Sequence, residues 1–162
     1  MVKEVLKLGN ELLYRKSSPV KKDDMPALEI TVKDLHDTLF EFRARYGAGR
    51  AIAAPQIGVF KRLIYMHIDK PVVLINPSLS FDDDETMTVY DDCMCFPGLH
   101  VKISRFKRCT VRYKDIEFAD YSMMLEGSLS ELIQHEYDHL NGILATMRAL
   151  DDRSFYLKSE HV

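Results

Sequence analysis

No apolar run in this 162-residue chain approaches the ~20 residues that a membrane-spanning helix needs. The opening Met1-Val2-Lys3-Glu4 lacks the apolar stretch of a secretory signal. Three cysteines cannot all pair, so no disulfide framework is implied, and a reducing cytoplasm is the expected compartment. A net charge of −3 leaves no excess positive charge, which argues against a nucleic-acid partner or an anionic membrane surface. Repeats, low-complexity tracts and long linkers are also missing. What is there is ordinary for a globular protein: 46% hydrophobic and 29% charged residues, enough to build a core. One domain over 1–162 is expected.

The periodicity predicts two helices with strands between them. Residues 10–27 are polar and turn-rich. From Thr31, Val32, Leu35, Leu39, Phe42 and Tyr46 recur at three- and four-residue steps, with Thr31 and Asp34 as a capping box and Gly47 and Gly49 as the stop. Arg62–Asp69, Val72–Leu79, Thr86–Tyr90 and Cys109–Lys114 read as strands, with Pro77 and the acidic run Asp82–Glu85 marking a loop. A second helix is predicted over Ser128–Leu140, capped by Ser128 and Glu131 and stopped by Asn141-Gly142. The fold class is therefore α+β, with the late helix laid across a sheet.

That late helix carries the pentapeptide His135-Glu136-Tyr137-Asp138-His139. Histidines four apart stack on one helix face, so both imidazoles can grip one metal ion. The intervening Glu136 is placed to take a proton from a water on that ion, the arrangement of a metal-dependent hydrolase. A catalytic site of this kind usually has a third protein ligand and one open position. Cys93, in Asp91-Asp92-Cys93-Met94-Cys95-Phe96-Pro97-Gly98, is the best-placed donor, in competition with Cys95, Asp91, Asp92 and Glu126. Asp138 is expected to be structural, or to accept the second N–H of a ligating imidazole. His36, on the polar side of the first helix, His67 in a strand and terminal His161 read as background.

Three separated motifs, in order, resemble those of the peptide deformylase family. Gly49-Arg50-Ala51-Ile52-Ala53-Ala54-Pro55-Gln56-Ile57-Gly58 is similar to GxGxAAPQIG, Asp91–Gly98 to EGCLSxPG, and Gln134–Leu140 with Gly142 to QHExDHLxG. The likeness includes Val73-Leu74-Ile75-Asn76-Pro77 and covers most of residues 3–145. It implies antiparallel sheets packed around the HExxH helix. It also implies one divalent ion on Cys93, His135 and His139, Fe(II) first and Zn(II), Ni(II) or Co(II) as substitutes. Glu136 would be the general base, and the Gln56 amide and the Met94 backbone N–H would stabilise the oxyanion. The substrate implied is an N-formylated nascent peptide, giving formate and a free amine.

The chain departs from the family pattern near the substrate. Asp91 replaces Glu and is expected to pair with Arg105; Asp92 replaces Gly, Met94 Leu and Cys95 Ser. Asp92 puts an acid where a glycine-only backbone and a second negative charge beside the thiolate come into question. Ala51 stands at a glycine position, Arg50 at an apolar one, and His100 where some members have arginine. These changes leave the chemistry and bear on substrate fit. Ala145–Val162 offer a short helix through Ser154–Lys158 at most, with no basic extension for ribosome docking. The competing readings are a hydrolase of another formyl or short-acyl amide, a non-catalytic metal-binding homologue, and a generic HExxH protease lacking a downstream ligand. Oligomeric state is not legible in the sequence.

Overall fold

The computed structural model describes residues 1–160; His161 lies outside them. In chain order the elements are α1 (Met25–Tyr46), β1 (Ala51–Ala53), β2 (Leu63–His67), β3 (Pro71–Ser80), β4 (Thr86–Asp91), β5 (Leu99–Phe106), β6 (Arg108–Lys114), β7 (Asp120–Glu126), α2 (Ser128–Leu140) and β8 (Phe155–Leu157). Short 3-10 turns cover Glu11–Tyr14, Lys22–Asp24, Ala54–Ile57 and Ala145–Arg148. All strand pairs are antiparallel, in a five-stranded sheet ordered β1-β2-β3-β6-β7 and a three-stranded sheet ordered β4-β5-β8. The α+β architecture predicted from the pattern is present.

The larger sheet is covered on both faces, because successive strand residues point to opposite sides. Ile52, Leu63, Tyr65 and Ile75 join Leu28, Leu35 and Leu39 of α1 in one core. Ala51, Ala53, Ile64, Met66 and Leu74 join Leu132, Ile133 and Leu140 of α2 in the other. Leu35 and Leu39 are fully buried, and each such leucine contributes about 1.5–3 kcal/mol of burial. Residues lining either core are thus consecutive in β1, and Ala51–Ala53 show no polar alternation to mark them as a strand.

α1 begins six residues before the predicted start. Pro26 sits in its first turn, where a missing N–H leaves no bond unmade. Thr31 is interior, its Oγ1 donating to Ala27 O at 3.2 Å, and the predicted capping box is not formed. The helix ends at Gly47, with φ 68° and its N–H bonded to Arg43 O. α2 has the predicted bounds but no Ser128 cap: Gly127 precedes it at φ 61°, ψ −128°, a region open only to glycine. Gly142 ends it at φ 71°, where a Cβ would stand 2.2 Å from Tyr14 O.

Three strands lay outside the prediction in addition to β1. β5 alternates inward Val101, Ile103 and Arg105, but the inward arginine hides the pattern. β7 is an exposed sheet edge with little to bury. The predicted C-terminal helix is instead β8, whose Phe155, Tyr156 and Leu157 pair with Val101, His100 and Leu99. Phe-Tyr-Leu suits a strand, and the free edge of β5 supplies its partner. In β3, Asn76 at φ 50° and Pro77 sit in a register shift instead of ending the strand. Asn76 Oδ1 accepts from Val20 N at 2.8 Å and Nδ2 donates to Val20 O at 2.9 Å, which secures the bulge. No described helix is long and apolar enough to cross a membrane.

Candidate metal centre

α2 brings His135 and His139 one above the other, with ring centroids 5.0 Å apart and Nε2 atoms 3.2 Å apart. The loop after β4 brings Cys93 Sγ to 3.3 Å from His139 Nε2. The donor atoms of Cys93, His135 and His139 all lie within 4.8 Å of one another, and all three residues are buried. A tetrahedron built on metal–ligand lengths of about 2.0–2.3 Å has edges of about 3.3–3.6 Å. The contacts match that size, so the S/N/N donor set fits a single divalent ion.

The competing donors are occupied elsewhere. Asp92 is exposed and pairs with Lys158 Nζ at 3.1 Å. Its backbone is outside the positive-φ region, which among the described residues other than glycine holds only Asn76 and Phe118. The second charge expected beside the thiolate is therefore drawn toward Lys158. Glu126 pairs with Arg108 at 3.3 Å on β7. Cys95 is buried next to Cys93 but is not one of the clustered donors, its Sγ lying 3.6 Å from Gln56 Nε2. His36 and His67 face each other across α1 and β2, with His36 Nδ1 2.7 Å from Tyr65 OH. His36 is half-buried against Phe40 instead of projecting from a polar face.

Asp91 is the acceptor behind the histidine. Its Oδ1 lies 2.9 Å from His135 Nδ1, and its Oδ2 accepts from Arg105 Nη2 at 2.8 Å. Arg105 Nη1 continues to Asp138 Oδ2 at 2.6 Å, and Arg148 donates to both oxygens of Asp138 at 2.6 and 2.8 Å. Asp138 thus holds arginines, and the carboxylate that approaches an imidazole is Asp91, beside His135. Asp91, Arg105 and Asp138 are buried as paired charges, with the half-exposed Arg148 closing the chain at the surface. Gln134 locks α2 to the end of β5, donating to Phe106 O at 2.8 Å and accepting from Phe106 N at 3.0 Å.

Electrostatics follow from this burial. Burial disfavours both charged forms, but the Asp91–His135 pairing prevails, lowering Asp91 to about 2 and raising His135 to about 9. Burial pushes the Cys93 thiol up and holds His139 well down as a neutral imidazole. Glu136 is pushed up to about 7 by burial, against the pull of His135. Its Oε2 is buried without a hydrogen-bond partner among the described residues. A carboxyl group pushed toward neutrality, with one oxygen unpartnered, stands beside the donor cluster.

Gln56 lies in the 3-10 turn after β1. Its Oε1 accepts from Ala53 N at 2.7 Å, leaving Nε2 directed at Cys93 Sγ, 3.7 Å away. The N-terminal segment ties this turn to the cysteine loop: Leu6 N donates to Gln56 O and Leu8 N to Cys95 O, both at 2.9 Å, and Lys7 Nζ reaches Met94 O. Gln56, Cys93, Met94, His135 and Glu136 open on one cavity of about 380 Å³, large enough for part of a peptide. Ala51 and Arg50 line it too, whereas His100 lies on β5 opposite Tyr156. The sequence reading gave no site role to Lys158, Arg148 or Gln134, and it gave Glu131 only a helix cap. Their neighbours are far away in the chain, or visible only once α2 has a register against the cavity.

Comparison with known proteins agrees with this geometry. The family profile described as Polypeptide deformylase matches residues 2–154. A peptide deformylase of Thermotoga petrophila is 33% identical over 153 residues, covering 94% of this chain and 90% of that protein. One from Pseudothermotoga lettingae is 34% identical, covering 99% and 90%. The crystal structure of the Thermotoga maritima peptide deformylase superposes with a TM-score of 0.84 at 32% identity, covering 93% of this chain and 99% of that one. A Met-Ala-Ser-bound peptide deformylase from Acinetobacter baumannii superposes at 0.83 and 26% identity, covering 91% and 98%. A profile spanning nearly the whole chain, relatives matched end to end and a shared fold make one conclusion: this chain belongs to the polypeptide deformylase family.

Proposed function

We propose that this protein removes the formyl group from peptides beginning with N-formyl-methionine, with one divalent ion held by Cys93, His135 and His139. The observation that carries the reading is the meeting of that buried donor set with the orphaned Glu136 oxygen and the aimed Gln56 amide at the base of one open cavity. Fe(II) is the ion we favour, with Zn(II), Ni(II) and Co(II) compatible with the same S/N/N set. When bound, such an ion supplies a Lewis acid and a water made acidic enough to ionise near neutral pH.

The chain's own groups supply the rest. Glu136 takes the proton given up by the attacking water and returns it to the departing nitrogen. The C–N bond then breaks to formate and a free N-terminal amine. Gln56 Nε2 and the Met94 N–H donate to the formyl oxygen as charge gathers on it. Asp91 fixes the orientation of His135 from behind, and Arg105 fixes Asp91. Nascent chains in the cytoplasm are the natural source of such substrates, and the reading calls on no nucleic acid or membrane. A non-catalytic metal-binding role has no use for a buried, unpaired Glu136 oxygen, whose burial costs stability.

Separating metal content from turnover tests this. Glu136→Ala is expected to keep a full complement of metal and to lose roughly 10²–10⁴-fold in kcat. Cys93→Ala is expected to lose the metal and the activity together. Turnover that persists in Glu136→Ala, or full metal content in Cys93→Ala, would overturn the assignment.

A further inference from the structure

Glu131 stands four residues before His135 on α2, so the two side chains share a face, about 6 Å apart along the axis. It lines the same cavity as Cys93, His135 and Glu136. The residue is half-buried, and no described residue hydrogen-bonds or ion-pairs with its carboxylate. Of the other carboxylates there, Asp91 is committed to Arg105 and His135 and Asp92 to Lys158, while Glu136 is buried beside the donor cluster. Arg50, the remaining cation of the cavity wall, donates to Ser128 O at 3.4 Å and makes no ion pair with Glu131. Burial raises the Glu131 carboxyl, Asp91 adds to the rise and Arg50 opposes it.

A carboxylate in this position bears on what enters. Glu131 and the donor cluster line one cavity, so a substrate side chain that follows this wall away from a formyl group at the cluster meets the Glu131 carboxylate. An apolar side chain arriving there strips water from the carboxylate and gives nothing back. An ammonium replaces that water with a charge-assisted hydrogen bond. We propose that Glu131 is a specificity determinant that extends the substrate range beyond formyl-methionine to N-formyl peptides whose first side chain ends in an ammonium, such as lysine. This rests on the deformylase reading and names the substrate class of that same site. An acid in the first turns of a helix also complements the helix dipole, a role indifferent to the substrate.

The test compares formyl-Lys-Ala-Ser with formyl-Met-Ala-Ser on the metal-loaded wild type, Glu131→Gln and Glu131→Leu. Calorimetric affinities for unformylated Lys-Ala-Ser and Met-Ala-Ser are measured alongside. We expect the wild type to hydrolyse both substrates, and the Lys/Met ratio of kcat/KM to fall roughly 3–10-fold in Glu131→Gln and further in Glu131→Leu. Both peptides hydrolysed, with that ratio unchanged in both variants, overturns the proposal and leaves the deformylase reading standing. Formate from neither peptide counts against the deformylase reading, and the calorimetric ordering then decides. Lys-Ala-Ser bound more tightly than Met-Ala-Ser only when Glu131 is present supports the determinant, and equal affinities overturn it.

Discussion

Asp91 carries two burdens with one carboxylate, holding the His135 imidazole on one oxygen and the Arg105 guanidinium on the other. Asp91→Ala leaves a fully buried arginine with one partner fewer and an imidazole with no acceptor. The expected cost is about 3–5 kcal/mol in urea unfolding and a loss of roughly 10–100-fold in metal affinity by competition titration. Arg148→Ala is milder, about 1 kcal/mol or less, because that side chain is 43% exposed and Arg105 still holds Asp138. Equal losses from the two substitutions would contradict the distinction. At this scale the sequence was most legible where chemistry is local. The two histidines and Glu136 follow from helical spacing, and the Asp91–Arg105 pair from the motif likeness. Asp138 proved structural, the first of its two expected roles, but its partners were not legible, because the arginines arrive from β5 and the Ala145–Arg148 turn. Glu131 looked like a cap because capping pattern and cavity wall coincide on one residue.

Among the elements, α2 was bounded correctly and stops at Asn141-Gly142 as expected, but its start was misattributed. A glycine at φ 61° precedes it in place of a serine cap, and Gly142 closes it against the backbone of Tyr14. Gly142→Ala must adopt a left-handed conformation costing about 1–3 kcal/mol, and must also move a backbone carbonyl now 2.2 Å from the new Cβ. Because His139 lies three residues before it, the variant is expected to lose metal affinity as well as thermal stability. A wild-type melting temperature for Gly142→Ala would contradict this. The strands that escaped the sequence reading share a physical reason. β1 and β8 are three residues long, β7 is an edge, and β5 turns an arginine inward. Each depends on a partner from elsewhere in the chain, and a periodicity of two shows only where one face is apolar and the other polar.

At the scale of the whole molecule, the site is a junction of segments with no sequence proximity. The Leu6–Leu8 backbone binds both the Gln56 turn and the Cys95 loop, β8 carries the chain to Lys158 at the cavity wall, and α2 lies against the face of the sheet that β1 completes. None of these joints has a local signature, although the family likeness implied their result. The central claim is that this junction is a metal-dependent deformylating site. Anaerobic formate release from formyl-Met-Ala-Ser, by protein loaded with Fe(II), Ni(II) or Zn(II) or stripped of metal, tests it most directly. The account predicts release from loaded protein and none from stripped protein. Well-folded, fully loaded protein that releases no formate would contradict it.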